Sequence, residues 1–202
     1  MTMVDFNSQG RNHMGVLVRE WIIEILQDRQ ELLGLAVRQR SKFEGWLKLE
    51  LAATAAKHGA IKIEIEAPYP SPQIGPRADL AFSYGGNRYF IELKTPNTNW
   101  RMPGVIGSTR PITKNIDGVI SDAEKIASRG ICGIVAFVMF PVRPASRNWI
   151  AYFKRIVTKL GIPEATAGDN SAQIAIRLPD GNFADVVVAT LEFLSTDCEE
   201  QS

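Results

Sequence analysis

The chain has 202 residues, of which 45% are hydrophobic and 22% charged, with a formal net charge of +1. That length holds one domain with a substantial core, and the balance is that of a globular protein rather than a disordered or fibrous one. No run of eighteen apolar residues occurs, which excludes a membrane-spanning helix, and residues 1–11 lack the apolar segment of a secretory signal.

Taken in order, Met14 to Gln30 places Val16, Leu17, Trp21, Ile22, Ile25 and Leu26 at helical spacing. Glu31 to Arg40 reads as a second short helix running across Gly34. Ser41 is a candidate N-cap, with Glu44 three residues on as its capping-box partner. The helix that follows runs through Trp46, Leu47, Leu51 and Ala55 to Gly59, a C-terminal signal. Ile61 to Ala67 alternates isoleucine with Lys62, Glu64 and Glu66, the pattern of a half-exposed strand. Pro68, Pro70, Pro72 and Pro76 then make a stiff loop.

Pro76 to Thr95 reads as a hairpin, two apolar runs around Gly85-Gly86-Asn87. Residues 96–111 form a long loop with Trp100, Arg101 and Arg110, a length associated with function or mobility. Ile112 to Ser128 has helical periodicity. Ile131 to Val142 is an almost unbroken apolar run, as in a strand covered on both faces. Ser146 begins a helix that Gly161 closes. Strands 172–178 and 183–193 flank the turn Pro179-Asp180-Gly181-Asn182. The expectation is a single α/β domain over residues 1–202 with a mixed central sheet flanked by helices.

Asp79, Glu92 and Lys94 interrupt the apolar pattern of the 76–95 hairpin. Carboxylates and an ammonium are costly to bury unless paired or bound to a metal. Symmetrical pairing about Gly85-Gly86 sets Asp79 opposite Glu92, and Lys94, two residues on, shares their face. Two adjacent carboxylates repel. A hard divalent cation, Mg²⁺ or Mn²⁺, relieves that repulsion, with the Leu93 carbonyl as a further oxygen donor. Lys94 would then stabilise charge on a phosphate or orient and deprotonate the attacking water. The competing reading is a surface hairpin with an ordinary Glu92–Lys94 ion pair.

Asp79, twelve residues, then Glu92-Leu93-Lys94 resembles the PD-(D/E)xK motif of restriction-endonuclease-like nucleases, although Ala78 stands where the motif has proline. The family core, a helix, three strands, a helix and a strand, maps onto residues 43–140, leaving 1–40 as a helical N-terminal extension and a C-terminal hairpin outside it. The resemblance implies a Mg²⁺- or Mn²⁺-dependent endonuclease that cuts double-stranded DNA to leave 5′-phosphates. It also implies a glutamate from the helix before the strands, Glu44 or Glu50. The two lie about 240° apart around that helix, so only one faces the site; Glu44 shares a stripe with Leu47 and Leu51. Glu64 and Glu66 are further ligand candidates, more simply read as the wet face of their strand.

Charge is distributed unevenly. Between residues 101 and 160, ten basic residues (Arg101, Arg110, Lys114, Lys125, Arg129, Arg143, Arg147, Lys154, Arg155 and Lys159) face only Asp117, Asp122 and Glu124, a balance of +7. Beyond residue 160 Arg177 faces eight acids, a balance of −7. Trp100, just before the basic segment, and Arg101, Arg110, Lys114 and Lys125 within it are candidate nucleic-acid contacts. The alternative function is a non-catalytic module on the same fold that binds nucleic acid or protein. A homodimer through the N-terminal helices would suit double-strand cleavage. His13 and His58 lack zinc-forming partners. Cys132 and Cys198 make neither a disulfide framework nor a zinc motif, so a reducing, cytoplasmic location is expected.

Overall fold

A computed structural model of the chain describes residues 14–70, 75–103, 112–163 and 170–195. These residues form α1 (Met14–Asp28), α2 (Gln30–Gln39), α3 (Glu44–Lys57), β1 (Ile61–Pro68), β2 (Arg77–Tyr84), β3 (Asn87–Lys94), α4 (Ile112–Ala127), β4 (Gly133–Val142), α5 (Trp149–Leu160), β5 (Ser171–Arg177) and β6 (Phe183–Phe193). The strands make one mixed sheet in the order β1-β2-β3-β4-β6-β5. Only β3 and β4 run parallel, and the crossover between them is α4, as parallel neighbours require. The C-terminal hairpin adds β6 and β5 to the same sheet.

Side-chain alternation explains why every residue of β4 is buried. Ile134, Ala136, Val138 and Phe140 join a core with α1, α2 and α3. Val135, Phe137 and Met139 join a second core with α4 and α5. The sheet is therefore covered on both faces, and a strand inside it has no wet side. The β2–β3 turn has the anticipated register: Tyr84 pairs with Asn87 and Leu80 with Ile91. Gly85 and Gly86 have φ of 56° and 87°, which suits a two-residue hairpin turn.

Several local expectations are corrected. No side chain caps α3, whose N-cap is Phe43; the Glu44 carboxylate reaches the backbone N–H of Thr95 instead, so the Ser41–Glu44 capping box does not form. Ser146 likewise does not cap α5. Its hydroxyl accepts from the Asn148 N–H at 3.3 Å, in the turn before the helix. Strand β1 is less buried than its alternation implies, with Ile61 61% and Ile65 41% exposed. It is an edge strand, its register slips between Ile61 and Glu64, and Lys62 and Glu66 take φ of 51° and 54°. Such irregularities break the period of two. Cys132, buried before β4, is disulfide-bonded, a single bridge where the two cysteines are expected to make no disulfide framework. A disulfide is commoner in an oxidising compartment than in the cytoplasm. Cys198 and His13 lie outside the described residues.

Candidate active site at the end of the β2–β3 hairpin

Asp79 and Glu92 flank the Leu80–Ile91 pair on facing strands, so their side chains share one face. Lys94 follows on that face at the carboxyl end of β3, beside the parallel strand β4. The carboxyl ends of parallel strands are where open α/β sheets present their binding crevices. Helix α4 covers this face, and α3 reaches the same end from the other side of the sheet.

Each charged group here has protein partners. Asp79 Oδ2 accepts the Leu93 N–H at 2.8 Å, and Oδ1 lies 3.4 Å from Lys48 Nζ. Lys48 also pairs with Glu66; despite the opposing pull of desolvation, these carboxylates hold its ammonium above the usual lysine range. Glu92 is only 3% exposed. Its Oε1 accepts from the Tyr69 hydroxyl and stands 2.5 Å from Lys125 Nζ. Burial pushes the Glu92 carboxyl up, and the Lys125 and Tyr69 contacts only partly offset it. Tyr69 packs on Phe90 and lies under the Arg129 guanidinium, 4.5 Å from its ring centre. Burial, then the Glu92 contact, pushes its hydroxyl up.

Lys94 Nζ is 3.0 Å from Asp122 Oδ2 and 3.8 Å from Glu44 Oε1. Desolvation opposes its charge, yet Asp122, Glu44 and Asp79 together outweigh it and raise the lysine above its ordinary value. Glu44 also accepts the Thr95 N–H through Oε2 at 3.2 Å. The structure thus brings Glu44 to Lys94. It takes Glu50 to the α1 side of α3, where Glu50 meets Arg29 at 3.3 Å, far from the hairpin face. Glu64 is exposed and paired with Arg88.

Sequence reading missed Lys48, Tyr69 and Asp122. Two of them carry a signal: Lys48 is one helical turn after Glu44, and Asp122 one turn before Lys125, spacings that align side chains on one helix face. Tyr69, just past β1 in a proline-rich stretch, carries none. Among the candidate nucleic-acid contacts, Arg101 and Lys114 are exposed. Lys125 instead points into the site, bound to Glu92 and Asp122. Trp100 packs against the α1–α3 core, and its carbonyl accepts from Arg40, so its indole helps anchor the loop. Arg110 lies outside the described residues.

Among the described residues, no group of three or more His, Cys, Asp or Glu side chains is arranged to hold a metal ion, and no helix is long and apolar enough to cross a membrane. No protein-family model, no curated protein and no solved structure matches the chain.

Proposed function

We propose that the chain is a divalent-metal-dependent endonuclease of the restriction-endonuclease-like class, hydrolysing phosphodiester bonds in double-stranded DNA. One observation carries the reading: Asp79, Glu92, Lys94 and Glu44, from three different elements, meet at one end of the β2–β3 pair. The order α3-β1-β2-β3-α4-β4 supports the fold part of the proposal.

The donor set suits Mg²⁺ or Mn²⁺. Two facing carboxylates and a strand carbonyl are hard oxygens, and Mg²⁺ takes one or two protein carboxylates and leaves its other positions to water and phosphate. Asp79, Glu92 and the Leu93 carbonyl would hold the ion. When bound, it lowers the pKa of the attacking water and polarises the phosphoryl oxygen. Holding an ion would require Asp79 and Glu92 to give up their contacts with Lys48 and Lys125. Lys94, held charged by the acids around it, serves as a hydrogen-bond donor to the phosphate rather than as a base.

Purified protein with Mg²⁺ or Mn²⁺ should cut plasmid and linear DNA to give 5′-phosphate ends. Asp79→Ala and Lys94→Ala should each lower cleavage more than about 100-fold with an unchanged circular dichroism spectrum. Failure to cut any DNA or RNA form with either ion would overturn the reading. The engagement of both carboxylates by lysines favours a second reading, a non-catalytic nucleic-acid- or protein-binding module. That reading expects no heat on metal titration but salt-dependent DNA binding.

A further inference from the structure

Helix α4 buries Ile112, Ile116, Val119, Ile120, Ala123 and Ile126. Asp122 stands beside this stripe, mid-helix, where aspartate is a poor helix former and far from the N-terminal turn that favours acids. It is also largely covered, its side chain 14% exposed. Neither helix propensity nor solvation accounts for an aspartate there, so its partners must.

Those partners are the two site lysines. Asp122 Oδ2 is 3.0 Å from Lys94 Nζ, and Oδ1 is 3.3 Å from Lys125 Nζ. Oδ2 is buried, and the Lys94 ammonium is the cationic group beside it. The Lys94 charge is what compensates it. A continuous alternation of charge results: Glu92 to Lys125 at 2.5 Å, Lys125 to Asp122, Asp122 to Lys94, and Lys94 to Glu44 at 3.8 Å.

We propose that Asp122 is the positioning residue of this site, holding the Lys94 ammonium at the carboxylate face and keeping Lys125 apart from it on its other oxygen. The proposal rests on the reading of Lys94 as the lysine that meets the phosphate. A lysine stem is rich in rotamers, so an unheld ammonium spends most of its time elsewhere. A misplacement of about 1 Å in a reacting group can cost about 100-fold in rate. Asp122 removes that freedom from the α4 side, while Glu44 bounds it from α3.

The test compares wild type, Asp122→Asn and Asp122→Glu in the full chain. Turnover of a DNA duplex with Mg²⁺ is one measure. The other is the metal-free Lys94 ammonium proton–nitrogen NMR signal, assigned by its absence in Lys94→Arg. Asp122→Asn should fold, lose about 100-fold in kcat with KM changed less than about threefold, and lose the Lys94 signal. Asp122→Glu should restore both in part. Wild-type turnover in Asp122→Asn, or lost turnover with the Lys94 signal intact, overturns the proposal, as does the absence of that signal from wild type. If Asp122→Asn does not fold, Asp122→Ser carries the same readouts. If wild type cuts no nucleic acid, the nuclease reading falls on that result alone. The NMR comparison then still judges Asp122: a Lys94 signal that survives Asp122→Asn overturns the proposal, and its loss supports it.

Discussion

Glu92 buries a carboxylate against the Tyr69 hydroxyl and the Lys125 ammonium, and it is costly there. Its folded-state pKa is raised by burial, so as pH falls the folded chain binds this proton before the unfolded chain does. Relative to a neutral side chain, ionised Glu92 destabilises the fold at high pH, and the deficit disappears as pH drops through the raised value. Glu92→Gln should therefore raise the melting midpoint at pH 8 and leave it nearly unchanged at pH 5, with Lys125 retaining Asp122 as partner. Equal effects at both pH values in calorimetric melts would contradict this. The two helix glutamates also separate cleanly. On the proposed nuclease reading, Glu44→Ala, which removes the weaker of two carboxylates beside Lys94 and the acceptor of the Thr95 N–H, should cut cleavage about 10–100-fold; Glu50→Ala, which removes a contact to exposed Arg29, should change it less than about twofold. Initial rates on one plasmid substrate decide both.

At the scale of elements, the hairpin was legible because two adjacent glycines fix both turn and register. The Asp79–Glu92 juxtaposition follows from that register alone. Gly34 shows the opposite case. From sequence it is a tolerated interruption in α2; in the fold it lets α2 lie against β5, since a Cβ there would stand 2.7 Å from the Arg177 carbonyl oxygen. Gly34→Ala ought to stabilise an isolated helix by about 1 kcal/mol. In this protein it should instead destabilise by about 1–3 kcal/mol, lowering the thermal midpoint by about 2–4 °C per kcal/mol. A higher midpoint would show that α2 can move off β5. Strand β1 was misread for a related reason. Alternation describes a regular strand, and the left-handed backbone at Lys62 and Glu66 is not encoded by residue type.

Over the whole molecule, the basic segment does not remain one surface. Lys125 and Arg129 turn to the site and Tyr69, Arg155 pairs with Asp117 across α4 and α5, and Arg101 and Lys114 stay exposed. Among the described acids beyond residue 160, Asp185 accepts the Ala145 N–H and a Gln173 hydrogen bond, and Asp180 meets Arg38. If DNA is the ligand, Arg101→Ala with Lys114→Ala should reduce the slope of log affinity against log salt by about two, measured by fluorescence anisotropy without metal. An unchanged slope would place the phosphate contacts elsewhere.

The sequence by itself determined what depends on neighbours along the chain: the order of helices and strands, the turn at Gly85-Gly86, and the sharing of one face by Asp79, Glu92 and Lys94. These follow from periods of 3.6 and 2 and from turn chemistry, which are local. Only the tertiary structure decided what depends on packing between distant segments. It set Glu44 rather than Glu50 beside Lys94, brought Lys48, Tyr69, Asp122 and Lys125 to the carboxylates, and inserted β6 between β4 and β5. Helix rotation and side-chain reach are fixed by the cores on either side of the sheet, and a pattern of residue types along one chain does not contain them.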